Sequence, residues 1–212
     1  LDLSAGVVRS GNLTISKLAV NGSGTQARHQ LTATVLSSYG DVHAALAGGL
    51  KDATWRGSLS RLDLNSRDWG RWQLADHWNL VLTRRTAGID ANVGQGCLIR
   101  KEASLCAKGN YRAGGDFDTN LKLSEVPLAL AQPVLPKGMA VSGRLNGGAD
   151  FWQQRNVLAG RYQITLPSGS AVTVETGQAP QRFVLGASSL SGKIDGDTVT
   201  ADLDLALPGR DY

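Results

Sequence analysis

Apolar and polar residues alternate along most of this chain. Leu31, Ala33 and Val35 alternate with Gln30, Thr32 and Thr34, and Val42, Ala44 and Leu46 with Asp41, His43 and Ala45. Near the far end, Val199, Ala201, Leu203, Leu205 and Leu207 alternate with Thr198, Asp202 and Asp204. A period of two predicts strands with one apolar face. Further strand candidates carry Trp55, Gly57 and Leu59; Leu62 and Leu64; Leu80 and Leu82; Ile89, Ala91 and Val93; Leu121 and Leu123; Val141 and Leu145; Tyr162, Ile164 and Leu166; Val172 and Val174; and Phe183 and Leu185. Turn clusters such as Asn21–Gly24, Gly48–Gly49, Gly114–Gly115, Gly147–Gly148 and Asp195–Asp197 separate them, which predicts an all-β chain of a dozen or more strands in meander order.

Two strands break phase. Leu13 and Ile15 hand over to Leu18 and Val20, and Leu59 hands over to Leu62. The apolar face would flip at each handover unless a bulge inserts one residue, so bulges are expected near Ser16 and near Ser60 or Arg61. One stretch, Val126–Pro136, does not alternate. Pro127 suits a first helical turn and Pro133 and Pro136 end one, predicting a short helix near 128–132 that caps a sheet end or connects two parts.

Composition qualifies this picture. The chain has 26 glycines in 212 residues, only 6% aromatics and 19% charged residues. Inward positions are often small, as at Ala33, Ala44, Gly57, Ala91 and Gly143, so the strands could line a hollow or groove. Composition alone favours an ordinary filled core, because most apolar strand faces are buried. No apolar run approaches the ~18 residues of a membrane-spanning helix. Leu1 opens in mid-alternation with no leader-like pattern before it, so the chain reads as a piece of something longer and says nothing of compartment.

Candidate chemistry is sparse. The net charge of +4 comes from scattered arginines whose only adjacent pair is Arg84 and Arg85, a pattern that argues against a nucleic-acid partner. Three histidines, His29, His43 and His77, and no G-x-S-x-G, H-E-x-x-H or P-loop motif argue against an enzyme. Gly22, Gly24 and Ala27 match G-x-G-x-x-A, yet a strand follows instead of a helix, so the segment reads as a hairpin turn. No cofactor or metal is called for. Cys97 and Cys106 are the only cysteines; a hairpin centred between Lys101 and Glu102 sets them opposite each other, with Cα atoms ~4.5 or ~5.5 Å apart by register. That spacing permits a disulfide, with two buried free thiols as the lesser alternative. Lys-Glu is a poor two-residue turn.

From about Thr54 to Gly143 the chain resembles the periplasmic TamB proteins of the AsmA-like group. The resemblance is carried by Trp55, Gly57, Leu59, Leu62 and Leu64, the run GRWQL with Trp72 and Leu74, Leu80, the CL and LC at Cys97 and Cys106, Leu121, Leu123, Leu130, Pro133 and Pro136, and SGRLNG at 142–147. It implies that residues 1–212 form a single β-rich segment of a longer repetitive protein, folded as a long antiparallel meander curled into a U-shaped β-taco trough with an apolar interior. It also implies a periplasmic location in a protein anchored in the bacterial inner membrane, an oxidised Cys97–Cys106 pair, and a role in moving phospholipid between the membranes. A TamA-like outer-membrane barrel would be the partner of other parts of the protein. On that reading Leu31, Val35, Leu46, Leu59, Leu62, Leu64, Leu80, Leu82, Leu121, Leu123, Ile164, Val174, Leu185 and Leu203 line a lipid groove, and the isolated segment could dimerise or bind detergent. The alternative is a scaffold that aids outer-membrane barrel assembly by strand augmentation.

Overall fold

The computed structural model describes residues 1–11, 13–175 and 179–207. Its strands are Asp2–Ala5 (β1), Val8–Ser10 (β2), Leu13–Gly24 (β3), His29–Ser37 (β4), Gly40–Lys51 (β5), Thr54–Ser66 (β6), Gly70–Leu74 (β7), Trp78–Arg85 (β8) and Gly88–Arg100 (β9). They continue with Ala103–Tyr111 (β10), Phe117–Pro127 (β11), Met139–Ser142 (β12), Arg144–Gln154 (β13), Val157–Leu166 (β14), Ala171–Val174 (β15), Gln181–Val184 (β16), Ser188–Asp195 (β17) and Thr198–Asp204 (β18). Fifteen of them form one large antiparallel sheet and the other three, β12, β15 and β16, a small second one. The fold is all-β with one short helix.

Two compact units divide the chain: residues 1–100 with 106–119, and residues 101–105 with 120–212. In the first unit, strand order follows the chain from β3 through β6, with β2 beside β3. Beyond β6 the sheet forks, since β7 and β8 both pair with β6 on one side and with β9 on the other. Both expected bulges are present. Ile15 lies opposite Ser37 and Lys17 opposite Leu36, leaving Ser16 as the extra residue; Leu59 lies opposite Leu46 and Arg61 opposite Ala45, leaving Ser60. The two share a chemistry, because the Ser16 hydroxyl donates to the Leu36 carbonyl and the Ser60 hydroxyl to the Ala45 carbonyl, each at 3.2 Å. A serine at the bulge thus satisfies a carbonyl in the interrupted ladder.

In the second unit, β13, β14, β17 and β18 pair in order without a register shift. Arg155 and Asn156, both at positive φ, make the two-residue turn that joins β13 to β14. The helix is present as a 3₁₀ helix, Leu128–Val134, with Pro127 before its first residue and Pro133 inside it. It connects β11 to β12, and the Leu135 amide bonds the Gln132 carbonyl to close its last turn.

A single meander does not describe this unit. Val141, Val172, Val174 and Phe183 belong to the small sheet, where Val141 faces Val172 and Val172 faces Phe183. Gly143 is the reason. Its φ of +120° is closed to other residues, and a Cβ there would meet Ser170, so only glycine lets the chain leave β12 and enter β13 at that angle. The position read as a small inward residue is a crossing point.

The described residues form no filled core. Among the described residues only Trp72, Ala103, Val126 and Ala171 are buried apolar side chains, and no large side chain is fully buried. The composition-based preference for an ordinary core therefore fails, because the strand faces that would form one are left half open.

Candidate functional site

Residues directly opposite in an antiparallel ladder point to the same face. Following the register across the first unit, Val35, Val42, Leu64 and Trp72 form one row. Ala33, Ala44 and Leu62 form the next, and Leu31, Leu46, Leu59 and Trp78 a third. Gly48, Gly57, Leu80 and Val93 follow, and then Leu50, Trp55, Leu82 and Ala91. All eight groove residues named from this part of the sequence, Leu31, Val35, Leu46, Leu59, Leu62, Leu64, Leu80 and Leu82, therefore share one face. The Ser60 bulge makes this so, since without it Leu62 and Leu64 would point away from Leu59. All are half-buried except Leu82, which is exposed.

Sequence reading missed the role of glycine on this face. The Trp55 indole lies over Gly48 and Gly57, and the Trp78 indole over Gly96; a Cβ at any of these glycines would overlap the ring. Trp55 Nε1–H donates to His29 Nε2 at 2.8 Å, and Trp78 Nε1–H to the Gly94 carbonyl at 2.6 Å. The second unit repeats the device. Phe151 sits over its cross-strand partner Gly160, and Tyr162 over its partner Gly192. Rings laid over glycines cover backbone that glycine would otherwise leave bare. No periodicity rule signals this, because it depends on which glycine faces which ring.

In the second unit, Gly147, Ile164, Leu190 and Leu203 form one row, and Phe151, Gly160, Ile194 and Val199 another. Ile164 is half-buried, whereas Leu203 is 63% exposed. The Asn120 side chain bonds Asp150 at 2.7 Å, which places Asn120 on the polar face. Alternation then sets Leu121 and Leu123 on the other face, that of Ala149 and Ile164. Val174 lies in the small sheet, and Leu185 follows β16, its amide bonded to the Ser170 carbonyl. Val174 is thus in a different sheet from the other strand residues, and Leu185 lies just past the end of that sheet's last strand. Leu190 and Ile194, on the same face as Ile164, were passed over in a serine-rich stretch of weak hydropathy.

The opposite faces are ordered by polar side chains. In the first unit Asp63 accepts from Arg61 at 2.5 Å and lies 3.8 Å from Arg71, and Asn92, Asn110 and Asp118 form a hydrogen-bonded chain across three strands. Asp90 accepts from the Ala113 amide and from Arg85, and these bonds hold its carboxyl below the usual range. In the second unit Arg161 bonds Asp150 at 2.9 Å, beside a recess of about 620 Å³ that Lys193 and Asp202 also line. Glu125, at φ +52°, is clamped by Asn146 and Arg144, which lower its carboxyl pKa in that order of strength, and Arg144 also pairs with Glu102.

Cys97 and Cys106 form a disulfide with Cα atoms 4.0 Å apart. The hairpin turn is the pair Lys101–Glu102 anticipated from their spacing, and Lys101 accepts a φ of +53° to make it. The cross-link holds that unfavourable turn in place.

Among the described residues no group of three acidic, histidine or cysteine side chains is placed to hold a metal ion, and no helix is long and apolar enough to cross a membrane. What the apolar faces offer is contact area, since their strand positions are chiefly hydrocarbon and glycine. The family model described as TamB, N-terminal domain, matches residues 1–210. Comparison with curated proteins and with solved structures gives no match.

Proposed function

The chain belongs to the TamB family, and on that premise we propose that its apolar strand faces shield phospholipid acyl chains on their way between the inner and outer membranes. One observation carries this reading: with the Ser60 bulge in place eight apolar residues from four strands share one face, and that face is left half open instead of being packed as a core. An acyl chain laid on it would gain ~25 cal/mol for each Å² of apolar surface removed from water. In this proposal the segment is periplasmic, belongs to a longer trough-shaped protein anchored in the inner membrane, and supports outer-membrane biogenesis beside a TamA-like barrel.

Leu62 is the position to test, because it faces Ala44 and a longer side chain there has room. Leu62→Arg should reduce co-purifying phospholipid, measured by mass spectrometry, by at least about fivefold through the cost of desolvating a charge. The circular dichroism spectrum and the disulfide should be unchanged. Undiminished lipid in a folded variant would defeat the proposal.

A second reading rests on β18. All seven of its residues are exposed, and its only strand partner among the described residues is β17. Such an edge could receive an outer-membrane strand by augmentation, and backbone crosslinks from Val199 or Leu203 to a nascent barrel strand would support it.

A further inference from the structure

The adjacent arginines Arg84 and Arg85 part company in the fold. Arg85 lies opposite Gly88 on the polar face and pairs with Asp90 at 2.7 Å. Arg84 lies opposite Ile89, on the face of Leu80 and Leu82, and among the described residues no carboxylate pairs with it. Within strands β3 to β9 the apolar face carries only two charged side chains, Arg84 and Arg100, each near the end of its strand. The Lys17, Asp41, Asp63, Arg71 and Asp90 positions fall on the other face. Beside Arg84 is a recess of about 460 Å³ whose apolar lining includes Leu50, Trp55, Leu82 and Ile89, with Thr86 and the ion-paired Arg85 at its edge.

An unpaired guanidinium at the rim of a hydrocarbon-lined recess matches a molecule that is anionic at one end and apolar at the other. We propose that this margin is a headgroup subsite for an anionic amphiphile: Arg84 binds the phosphate of a lipid whose first chain carbons rest on Trp55 and Leu82. The guanidinium fork suits phosphate oxygens. This rests on the acyl-shielding reading and adds to it a place and a charge for the headgroup.

The test is calorimetric titration of the whole chain with monododecyl phosphate, dodecyl maltoside and inorganic phosphate, the two amphiphiles kept below their micelle concentrations. Monododecyl phosphate should bind more tightly than the maltoside. Arg84→Gln should weaken monododecyl phosphate roughly tenfold and leave the maltoside unchanged, as expected for loss of one charge-assisted contact. Arg84→Lys should retain part of the preference, and Arg56→Gln, on the opposite face of β6, should retain all of it. Equal binding of both amphiphiles to the native chain and to Arg84→Gln would overturn the headgroup subsite while leaving acyl shielding in place. Failure of both amphiphiles to bind would overturn acyl shielding itself. Arg84-dependent binding of inorganic phosphate as tight as that of the amphiphile would overturn the subsite in favour of a free-anion site.

Discussion

The two units solve one problem in different ways. A long strand drifts out of phase with its neighbours wherever the sequence carries an extra residue. The first unit absorbs the extra residue inside the sheet, at Ser16 and Ser60, and keeps its ladder running. The second diverts the chain out of the sheet at Gly143 and lays β12, β15 and β16 down as a separate sheet. The first solution keeps one face continuous across β4, β5, β6 and β8. The second gives up continuity and gains burial, for Ser170 and Ala171, beside Gly143 and Ser142, are among the least exposed residues described.

Deleting Ser60 together with Arg61 should break the first solution outright. Leu62 then follows Leu59 directly, so Leu62 and Leu64 swap faces with Asp63, and either the ladder shifts or a charge meets the apolar face. A loss on the order of 4 kcal/mol is expected, with hydrogen-exchange protection falling in β5 and β6 and unchanged in β14 and β17. Gly143→Val should break the second at a cost of ~2–4 kcal/mol, from the forbidden φ and the overlap with Ser170. Exchange should then rise in β12, β15 and β16 while β4 and β5 keep their protection. If either change loosened both units equally, the comparison would be wrong.

The smallest effect concerns acid. Glu125 has a folded pKa below its ordinary value, so its contribution is present at neutral pH and is lost as pH falls through that depressed value. Glu125→Gln should flatten the acid limb of the second unit's stability curve and leave that of the first, where Asp90 has the same kind of shift, unchanged. Carboxyl-carbon NMR of both residues from pH 6 downward would check the two in one sample.

Legibility followed hydropathy. The Ser16 and Ser60 bulges could be read because strong apolar residues flank each slip. A third phase change could not. Leu80 faces Val93 and Leu74 faces Leu98, so β9 must shift between residues 93 and 98 to keep both on one face. Gly94 and Gly96 occupy that stretch, and glycine carries no hydropathic mark of which way it points. The crossing at Gly143 was hidden for the same reason, since Val141, Val172 and Val174 alternate as correctly for a small sheet as for a large one. The helix was visible through its prolines, although not its 3₁₀ geometry. Arg84 was conspicuous as half of an arginine pair, but only the register shows that its neighbour is neutralised and it is not.

The glycines beneath Trp55, Trp78, Phe151 and Tyr162 also bear on how this sequence can vary. Enlarging Gly160 while Phe151 remains forces the ring off the sheet; shrinking Phe151 while Gly160 remains bares a strip of backbone to water. Neither position can drift alone without a penalty that the other could relieve. Each ring and its glycine should therefore vary as a unit, with substitutions there coming in pairs, whereas the leucines between them should exchange with other aliphatic residues one at a time.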